Sequence, residues 1–295
     1  ASRPALMRSR DLAAMLALGA IWGGAFVLLR IASPVFGATA LAGVRITVAF
    51  LVMVFFVRHW RDLRARALAL FTLGVINTAI PFWLFAYAML GITSGLGALL
   101  NATTPIFGIL IAWLWLGERL TRWRIAGVAV AFGGVAWLVH GAIGTPGARV
   151  LPGVLAALAA SICYGVGACF TRRFLSTVDP VVVATGSVLG ATLVLAPFSV
   201  AAWPQAPLPR EAWLAALALG VLCTGIAYLL YYRLLQNVGA GRALAVAFLY
   251  PPFGILWGAL ILHEPVTFGL LAGSAVVLIG TALSVGLVDR VKFAR

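Results

Sequence analysis

The side chains in this sequence that could hold a polar solute lie inside long apolar stretches, and they are few. Asn77, Asn101 and Thr104 offer amide and hydroxyl groups that both donate and accept hydrogen bonds. Other stretches carry aromatic residues that combine a flat apolar face with one polar atom. These are Trp22, Tyr164, Tyr228, Tyr231 and Tyr250. Together the eight residues predict the wall of a binding site for a small organic molecule.

Acid–base and metal chemistry has little support in the sequence. The seven acidic residues all lie at the ends of apolar stretches or in loops: Asp11, Asp62, Glu118, Asp179, Glu211, Glu264 and Asp289. The histidines, at 59, 140 and 263, are neither clustered nor arranged as HisGluxxHis. The cysteines, at 163, 169 and 223, fit neither a zinc site nor a disulfide framework. We therefore expect no enzyme activity, no bound metal and no cofactor.

Prolines and glutamates recur at equivalent positions of two stretches. Residues 100–120 read LNATTPIFGILIAWLWLGERL, and residues 246–266 read VAFLYPPFGILWGALILHEPV. A proline inside a helix leaves the carbonyl four residues earlier without its N–H partner. Pro105 and Pro251 would thus free carbonyls near the middle of their helices. We group both, with Pro81, as helix-break or gating positions.

Three charged residues leave alternatives open. Glu118 and Glu264 end the two matching segments, where a carboxylate can cap the following helix by accepting hydrogen bonds from its free N–H groups. Alternatively, the two glutamates act as gates at opposite membrane faces. Arg45 lies inside an apolar stretch. It either snorkels or makes a structural hydrogen bond, or it pairs with a substrate carboxylate.

Membrane-spanning helices must position these residues. The 295 residues are 63% hydrophobic and 9% charged, whereas soluble proteins average about 45–50% apolar and about 25% charged residues. Ten apolar stretches have roughly the 20 residues that a helix needs to cross ~30 Å of hydrocarbon. They are 12–31, 38–57, 67–89, 94–117, 122–140, 151–171, 180–203, 211–234, 240–262 and 266–288. No small-residue cleavage site follows the first stretch, so we expect a retained helix and not a signal peptide.

Charge predicts the orientation of these helices. Of the 21 Lys and Arg residues behind the net charge of +14, 17 fall in alternate gaps between the stretches, and only Arg30, Arg149 and Arg210 fall in the others. Cytoplasmic loops carry such an excess, so we expect both termini in the cytoplasm. Twenty of the 21 are arginine, which is typical of GC-rich bacterial genomes and favours the inner membrane. The expected partners are the lipid bilayer and a small-molecule substrate, and not nucleic acid.

The chain is predicted to be a duplication. Shifted by 146 positions, residues 105–136 match 15 of 32 residues without a gap, and Gly74 and Thr78 superpose on Gly220 and Thr224. Each copy holds five helices, and because five is odd the copies enter the membrane from opposite sides. We therefore predict an all-α integral membrane protein of ten transmembrane helices, built as two inverted repeats, 1–145 and 146–295, around a central cavity. Inverted repeats are typical of secondary transporters.

These motifs resemble the drug/metabolite transporter superfamily in its ten-helix form with paired EamA-type domains. The resemblance rests on Trp22 and Gly23, and on the run from Pro105 through LeuTrpLeuGlyGluArgLeu (114–120) to Gly127. The second copy has Tyr164 and Gly165 in place of TrpGly, and His263 and Glu264 in place of GlyGlu.

The resemblance implies that helices 1, 3, 4, 6, 8 and 9 surround the cavity. It also implies export of amino acids or related metabolites, with the aromatic amino acid exporters most similar. Sugar-phosphate or nucleotide-sugar carriers and drug or cation exporters of the same superfamily are the alternatives. GlyxxxGly spacings at 186/190, 254/258 and 269/273 fit helix contacts within the fold or between protomers, so monomer and homodimer both stay open.

Overall fold

The computed structural model describes residues 8–57, 60–142 and 149–286, and every regular element in these ranges is helical. Ten helices form the body of the described protein. They are α1 Ser9–Phe36, α2 Ala38–Phe56, α3 Ala67–Ala88, α4 Ser94–Leu116, α5 Arg122–Ala142, α6 Val150–Phe174, α7 Pro180–Ala201, α8 Arg210–Val238, α9 Ala245–Leu262 and α10 Phe268–Ser284. Short helices at Trp60–Ala65 and Ala240–Ala243 precede α3 and α9.

The predicted fold class is confirmed. Helices α1 to α9 are each long and apolar enough to span a membrane, and α10 is a shorter apolar helix over its 17 described residues. The predicted boundary between 145 and 146 lies outside the described residues, as do His59 and the basic positions Arg3, Arg58, Arg290, Lys292 and Arg295.

Large apolar side chains cover the outer faces of the bundle. Phe55, Leu68 and Leu114 are 85%, 79% and 72% exposed. Water would penalise such a surface, whereas hydrocarbon does not. The outer surface therefore fits a lipid bilayer.

Local signals in the sequence set the helix ends. Gly37 is the single residue between α1 and α2. It adopts φ 73°, a conformation that glycine permits, and so lets the chain reverse direction there. The Asp179 carboxylate accepts hydrogen bonds from the N–H groups of Val181 and Val182, and Pro180 occupies the first turn of α7, where its missing N–H costs nothing.

Helices that are equivalent in the predicted duplication pack against one another. Helix α2 contacts α7, α4 contacts α9 and α5 contacts α10, so these helices meet their own counterparts. The contacts of α1 with α8 and α9 recur as contacts of α6 with α3 and α4.

Equivalent glycines permit the recurring contacts. A Cβ on Gly23 would lie 2.9 Å from the N atom of Gly254, and a Cβ on Gly165 would lie 2.8 Å from the N atom of Gly108. The backbones of α1 and α9, and of α6 and α4, can therefore approach closely in both halves.

Four of the helices are irregular near the middle of the bundle. Helices α3 and α8 contain π-helical segments at Val75–Ala79 and Val221–Ile226, which superpose under the 146-residue shift. Helix α4 is interrupted by a turn at 102–103, and the chain is 3₁₀-helical over Leu244–Phe248 before the regular part of α9. The irregular turns of α4 and α9 come just before Pro105 and Pro251. Because irregular backbone at membrane depth is tolerated where it borders a cavity, these turns mark the centre of the bundle.

Candidate functional site

A cavity of about 710 Å³ occupies the centre of the bundle. All eight residues predicted from the sequence to bind substrate border it: Trp22, Asn77, Asn101, Thr104, Tyr164, Tyr228, Tyr231 and Tyr250. Helices 1, 3, 4, 6, 8 and 9 contribute most of its wall. Helices α2 and α7 add Arg45, Val183 and Ser187, which the resemblance did not place there.

Some of the predicted helix-break and gating residues border the cavity, and others do not. Pro105 and Glu118 border the cavity. Pro81 and Pro251 are buried within α3 and α9, and Glu264 lies at the opposite end of the bundle from Glu118. Their roles in gating stay a prediction.

Aromatic rings form one side of the cavity. The ring of Trp22 lies 5.4 Å from that of Tyr231 and 5.6 Å from that of Tyr250, centroid to centroid. The Trp22 indole N–H donates to the carbonyl of Cys223 at 3.0 Å, which fixes the ring. On α6, Tyr164 stacks against Phe85 with centroids 6.1 Å apart. Rigid flat faces of this kind favour apolar or aromatic parts of a ligand.

Amides lie where the helices are irregular. Asn77 belongs to the π-helical segment of α3, and Asn101 ends the first part of α4. Its Oδ1 accepts a hydrogen bond from the Thr104 hydroxyl at 3.4 Å. Gly167 makes room for Asn77, since a Cβ there would lie 2.6 Å from the Asn77 Cβ. Both amides therefore reach the cavity wall from backbone that departs from the α-helix.

Arg45 lies at the cavity wall and is only 7% exposed. Its Nε donates to the Thr224 hydroxyl at 3.1 Å, and its guanidinium carbon lies 4.0 Å from the centre of the Phe82 ring. The snorkelling alternative is wrong, because the side chain turns inward to α8 and α3. The structural hydrogen bond considered beside it is present.

A polar cluster of Glu264, Ser94 and Arg30 lies at the opposite end of α4 from Glu118, outside the cavity wall. Glu264 accepts hydrogen bonds from the Ser94 N–H at 3.0 Å and from the Ser94 hydroxyl at 2.6 Å. The Arg30 Nε lies 3.9 Å from Glu264 Oε1, and its Nη1 donates to the Met89 carbonyl at 2.7 Å. Helices α1, α3, α4 and α9 are thereby tied together at this end.

The other end is the mouth of the cavity. Glu118, Arg124, Thr171 and Arg172 border it, and Glu118 forms ion pairs with Arg172 and Arg124. The Glu118 side chain is 32% exposed, against 15% for Glu264. The two equivalent glutamates therefore occupy different environments: Glu118 borders the cavity and is more exposed, whereas Glu264 lies outside its wall and is more buried.

Threonine hydroxyls accept the hydrogen bonds described at the starts of the two helices that follow the glutamates, where one alternative expected the glutamates themselves. Thr121 accepts from the Arg124 N–H at 3.3 Å and Thr267 from the Leu270 N–H at 3.1 Å, so threonine hydroxyls cap α5 and α10. Glu264 instead caps α4, whose first residue is 170 positions earlier. The kind of interaction was foreseen, but the helix was not.

Sequence reasoning missed the arginine partners of the glutamates. Arg30 lies eight residues after Trp22, and Arg172 lies eight residues after Tyr164. Because TrpGly and TyrGly are equivalent pairs, this equal spacing was the available signal. Tyr232, which also borders the cavity, carried no signal beyond ordinary apolar periodicity.

Comparison with known proteins identifies the family and the fold. The model of the EamA-like transporter family matches residues 10–140 and again residues 151–286. A solved crystal structure superposes with a TM-score of 0.65 at 21% identity, covering 97% of this chain and 99% of the other, which shows the shared fold.

Curated relatives match most of the chain. A "Probable terminal-alkyne amino-acid exporter" of Streptantibioticus cattleyicolor is 27% identical over 86% of both chains. A "Probable amino-acid metabolite efflux pump" of Escherichia coli K12 is 24% identical over 95% of this chain and 96% of the relative. An "Uncharacterized transporter" of Archaeoglobus fulgidus is 24% identical over 88% and 92%. This chain is a multi-pass membrane transporter and belongs to the EamA-like transporter family.

Proposed function

We propose that the protein is a secondary transporter that exports, or equilibrates, neutral or aromatic amino acids across the cytoplasmic membrane by alternating access. The observation that carries the proposal is the central cavity, whose wall reaches Glu118 at one end of the bundle but does not include Glu264, which is bonded to Ser94 at the other. A cavity of about 710 Å³ lies within the range of small-molecule sites, about 300–1,000 Å³. Two relatives are named as amino-acid exporters or efflux pumps.

The composition of the wall supports an amino acid with an apolar side chain. Trp22, Tyr231 and Tyr250 provide aromatic faces, and Asn101 provides an amide at similar depth. Glu118, at the mouth, is the single acidic residue among the described residues that border the cavity. An organic cation would lack a countercharge at mid-depth, so this wall fits a drug or cation exporter less well.

During alternating access, Glu264 and Glu118 would take turns in closing their ends of the cavity. In the opposite state, Glu264 releases Ser94 and that end opens, while Glu118 closes its own end. The residue equivalent to Ser94 under the 146-residue shift is Ala240, the first residue of the short helix before α9. Alanine offers a main-chain N–H but no hydroxyl, so the Glu118 closure would be weaker by one hydrogen bond, which favours the state seen here.

The halves that move against each other would be 1–145 and 146–295. The Glu118 end faces the cytoplasm in this proposal, because arginines of the basic gaps, such as Arg119, Arg124 and Arg172, lie beside it. Both termini would then be cytoplasmic. A phosphatase reporter fused at residue 295 tests this orientation, and strong phosphatase activity in the periplasm would contradict it.

Counterflow in proteoliposomes tests the transport function. Vesicles with the purified protein are loaded with one unlabelled amino acid and given the labelled form outside. Saturable uptake of labelled L-phenylalanine or L-leucine, absent from empty vesicles, is expected. Uptake that rises linearly with concentration would indicate a channel. Uptake of sugar phosphates but of no amino acid would show that sugar phosphates are the substrate class.

A further inference from the structure

Asp11 and Arg45 are the charged side chains among the buried residues of the described chain. Asp11 accepts a hydrogen bond from the Asn237 amide at 3.0 Å. Arg45 has no carboxylate partner in residues 8–57, 60–142 or 149–286, and its Nε–H alone is bonded, to the Thr224 hydroxyl. A charge at membrane depth ordinarily has a partner or a function.

We propose that Arg45 is the carboxylate-binding residue of the cavity, and that the protein recognises its substrate by a monocarboxylate group. This inference rests on the proposed function, since it names the substrate group that the central site binds. Arg45 borders the cavity beside Asn77, Phe82 and Tyr164. A guanidinium matches a carboxylate through two parallel hydrogen bonds, so a substrate carboxylate supplies the missing countercharge.

Several contacts hold the guanidinium in place before substrate arrives. Thr224 donates its hydroxyl hydrogen to the Leu219 carbonyl at 2.9 Å, so its oxygen is left to accept from Arg45. Phe82 lies against the guanidinium face at 4.0 Å from its carbon. Gly220 allows α8 to approach, because a Cβ there would lie 2.9 Å from the Arg45 carbonyl oxygen. Holding the donor in advance reduces the entropy lost on binding.

The site fits one negative charge and not two. Arg124 and Arg172, the other basic residues that border the cavity in the described chain, are paired with Glu118 at the mouth. A phosphate dianion bound at Arg45 would keep an uncompensated charge at membrane depth. An aryl group attached to the carboxylate would meet the aromatic faces of Trp22 and Tyr228, whose rings lie 6.4 Å apart.

Equilibrium binding to the purified protein tests the inference with four probes of the same ring. They are phenylacetate, L-phenylalanine, phenethylamine and phenyl phosphate, each competing with radiolabelled phenylacetate or L-phenylalanine. We expect the wild type to prefer both carboxylates to phenethylamine and phenyl phosphate by about ten-fold or more, as one charge-assisted hydrogen-bonded pair provides. Equal affinity for phenethylamine, no carboxylate binding, or preference for phenyl phosphate would each overturn the inference without any variant.

Variants assign the preference to Arg45. In Arg45→Gln, the affinity for phenylacetate should fall about ten-fold or more, whereas Arg45→Lys should lose less because the charge remains. Arg210→Gln is the matched control, because Arg210 is exposed at the start of α8, outside the cavity wall, and its replacement should leave the carboxylate preference unchanged. An unchanged preference in folded Arg45→Gln would overturn the inference. If that variant does not fold, the comparison of the four probes on the wild type still tests the inference.

The result is separable from the proposed function. Counterflow of amino acids in the wild type, with Arg45→Gln unchanged in carboxylate preference, would contradict the Arg45 inference alone. Binding of phenylacetate that depends on Arg45, in a protein that transports no amino acid, would contradict the amino-acid proposal and support the carboxylate site.

Discussion

Glu264, which follows α9, accepts hydrogen bonds from both the N–H and the hydroxyl of Ser94, the first residue of α4. The free N–H groups at a helix start carry partial positive charge, so a carboxylate is stabilised there. Gly258 has no side chain where the two residues pass, since a Cβ there would lie 2.5 Å from Glu264 Oε2. This contact joins the two halves of the chain and can be broken with a single substitution.

Releasing this contact should close the other end of the cavity. In a cysteine-free background, Thr171→Cys at the open mouth should react readily with a maleimide. Adding Glu264→Gln removes a charge-assisted contact that contributes about 1.5–3 kcal/mol, so the labelling rate should fall several-fold. Glu211→Gln, at the exposed start of α8, is the matched control and should not change the rate. Faster or equal labelling in Glu264→Gln would show that the Ser94 contact does not hold this state.

Asn101→Leu should abolish transport while the protein still folds. The Asn101 side chain borders the cavity and is only partly buried, and leucine of similar size removes its hydrogen-bonding groups. Leu114→Ala, on the outer face of the same helix where Leu114 is 72% exposed, should transport normally. Counterflow and size-exclusion profiles of both variants check the expectation. Normal transport by Asn101→Leu would place the polar contact to substrate elsewhere.

The helices and the cavity wall could be predicted from the sequence because both depend on local pattern. Apolar stretches of spanning length predicted the ten helices, and the few amide and aromatic side chains inside these stretches, such as Asn101 and Tyr228, predicted residues of the cavity wall. Arg45 could not be decided in this way. The sequence shows how far into α2 Arg45 lies. Whether its long side chain turns outward or inward depends on Thr224 and Phe82, which belong to other helices.

The partner of Glu264 was hidden for a similar reason. A carboxylate after a helix end is adjacent in sequence to the next helix, so local reasoning assigned it there. Thr267 already caps that helix, and Ser94 lies in the other half of the chain. The π-helical segments were also missed, because Thr78 and Thr224 read as ordinary helix positions until the backbone is known.

Gly280→Ala should destabilise the packing of α5 on α10. A Cβ on Gly280 would lie 2.7 Å from the Gly127 carbonyl oxygen and 2.8 Å from the Ala131 Cα, and backbone atoms cannot move away cheaply. We expect a loss of about 1–3 kcal/mol, the usual cost of overpacking, seen as a lower thermal midpoint in detergent. Gly133→Ala is the matched control, because it lies in α5 with nothing within 4 Å of a Cβ. Its midpoint should stay equal or rise slightly.

His263→Gly should stabilise the protein without affecting transport. His263 ends α9 with φ 53°, and the equivalent Gly117 ends α4 with φ 71°. A non-glycine residue in this left-handed region costs about 1–2 kcal/mol, so glycine should raise the thermal midpoint. The reciprocal Gly117→Ala should lower it. A fall on His263→Gly would show that the imidazole makes contacts that outweigh the backbone strain.

The last prediction concerns energy coupling. Proton-driven carriers expose a titrating carboxylate or histidine to alternate sides within the membrane. Among the described residues bordering the cavity, Glu118 is the one acidic group, and it lies at the mouth with Arg172 and Arg124. Asp11 is buried near the start of α1, is bonded to Asn237 and is not among the residues that border the cavity. We therefore expect a facilitator, in which solute follows its own gradient.

Proteoliposomes with equal L-phenylalanine on both sides provide the measurement. An imposed pH gradient should produce no net accumulation, because no Asp, Glu or His among the described residues lies at mid-depth in the cavity wall. Accumulation that a protonophore abolishes would show coupling. Glu118→Gln then locates it: loss of accumulation with counterflow retained would assign the proton to Glu118 at the cavity mouth, where proton binding would neutralise the carboxylate and weaken its ion pairs with Arg172 and Arg124.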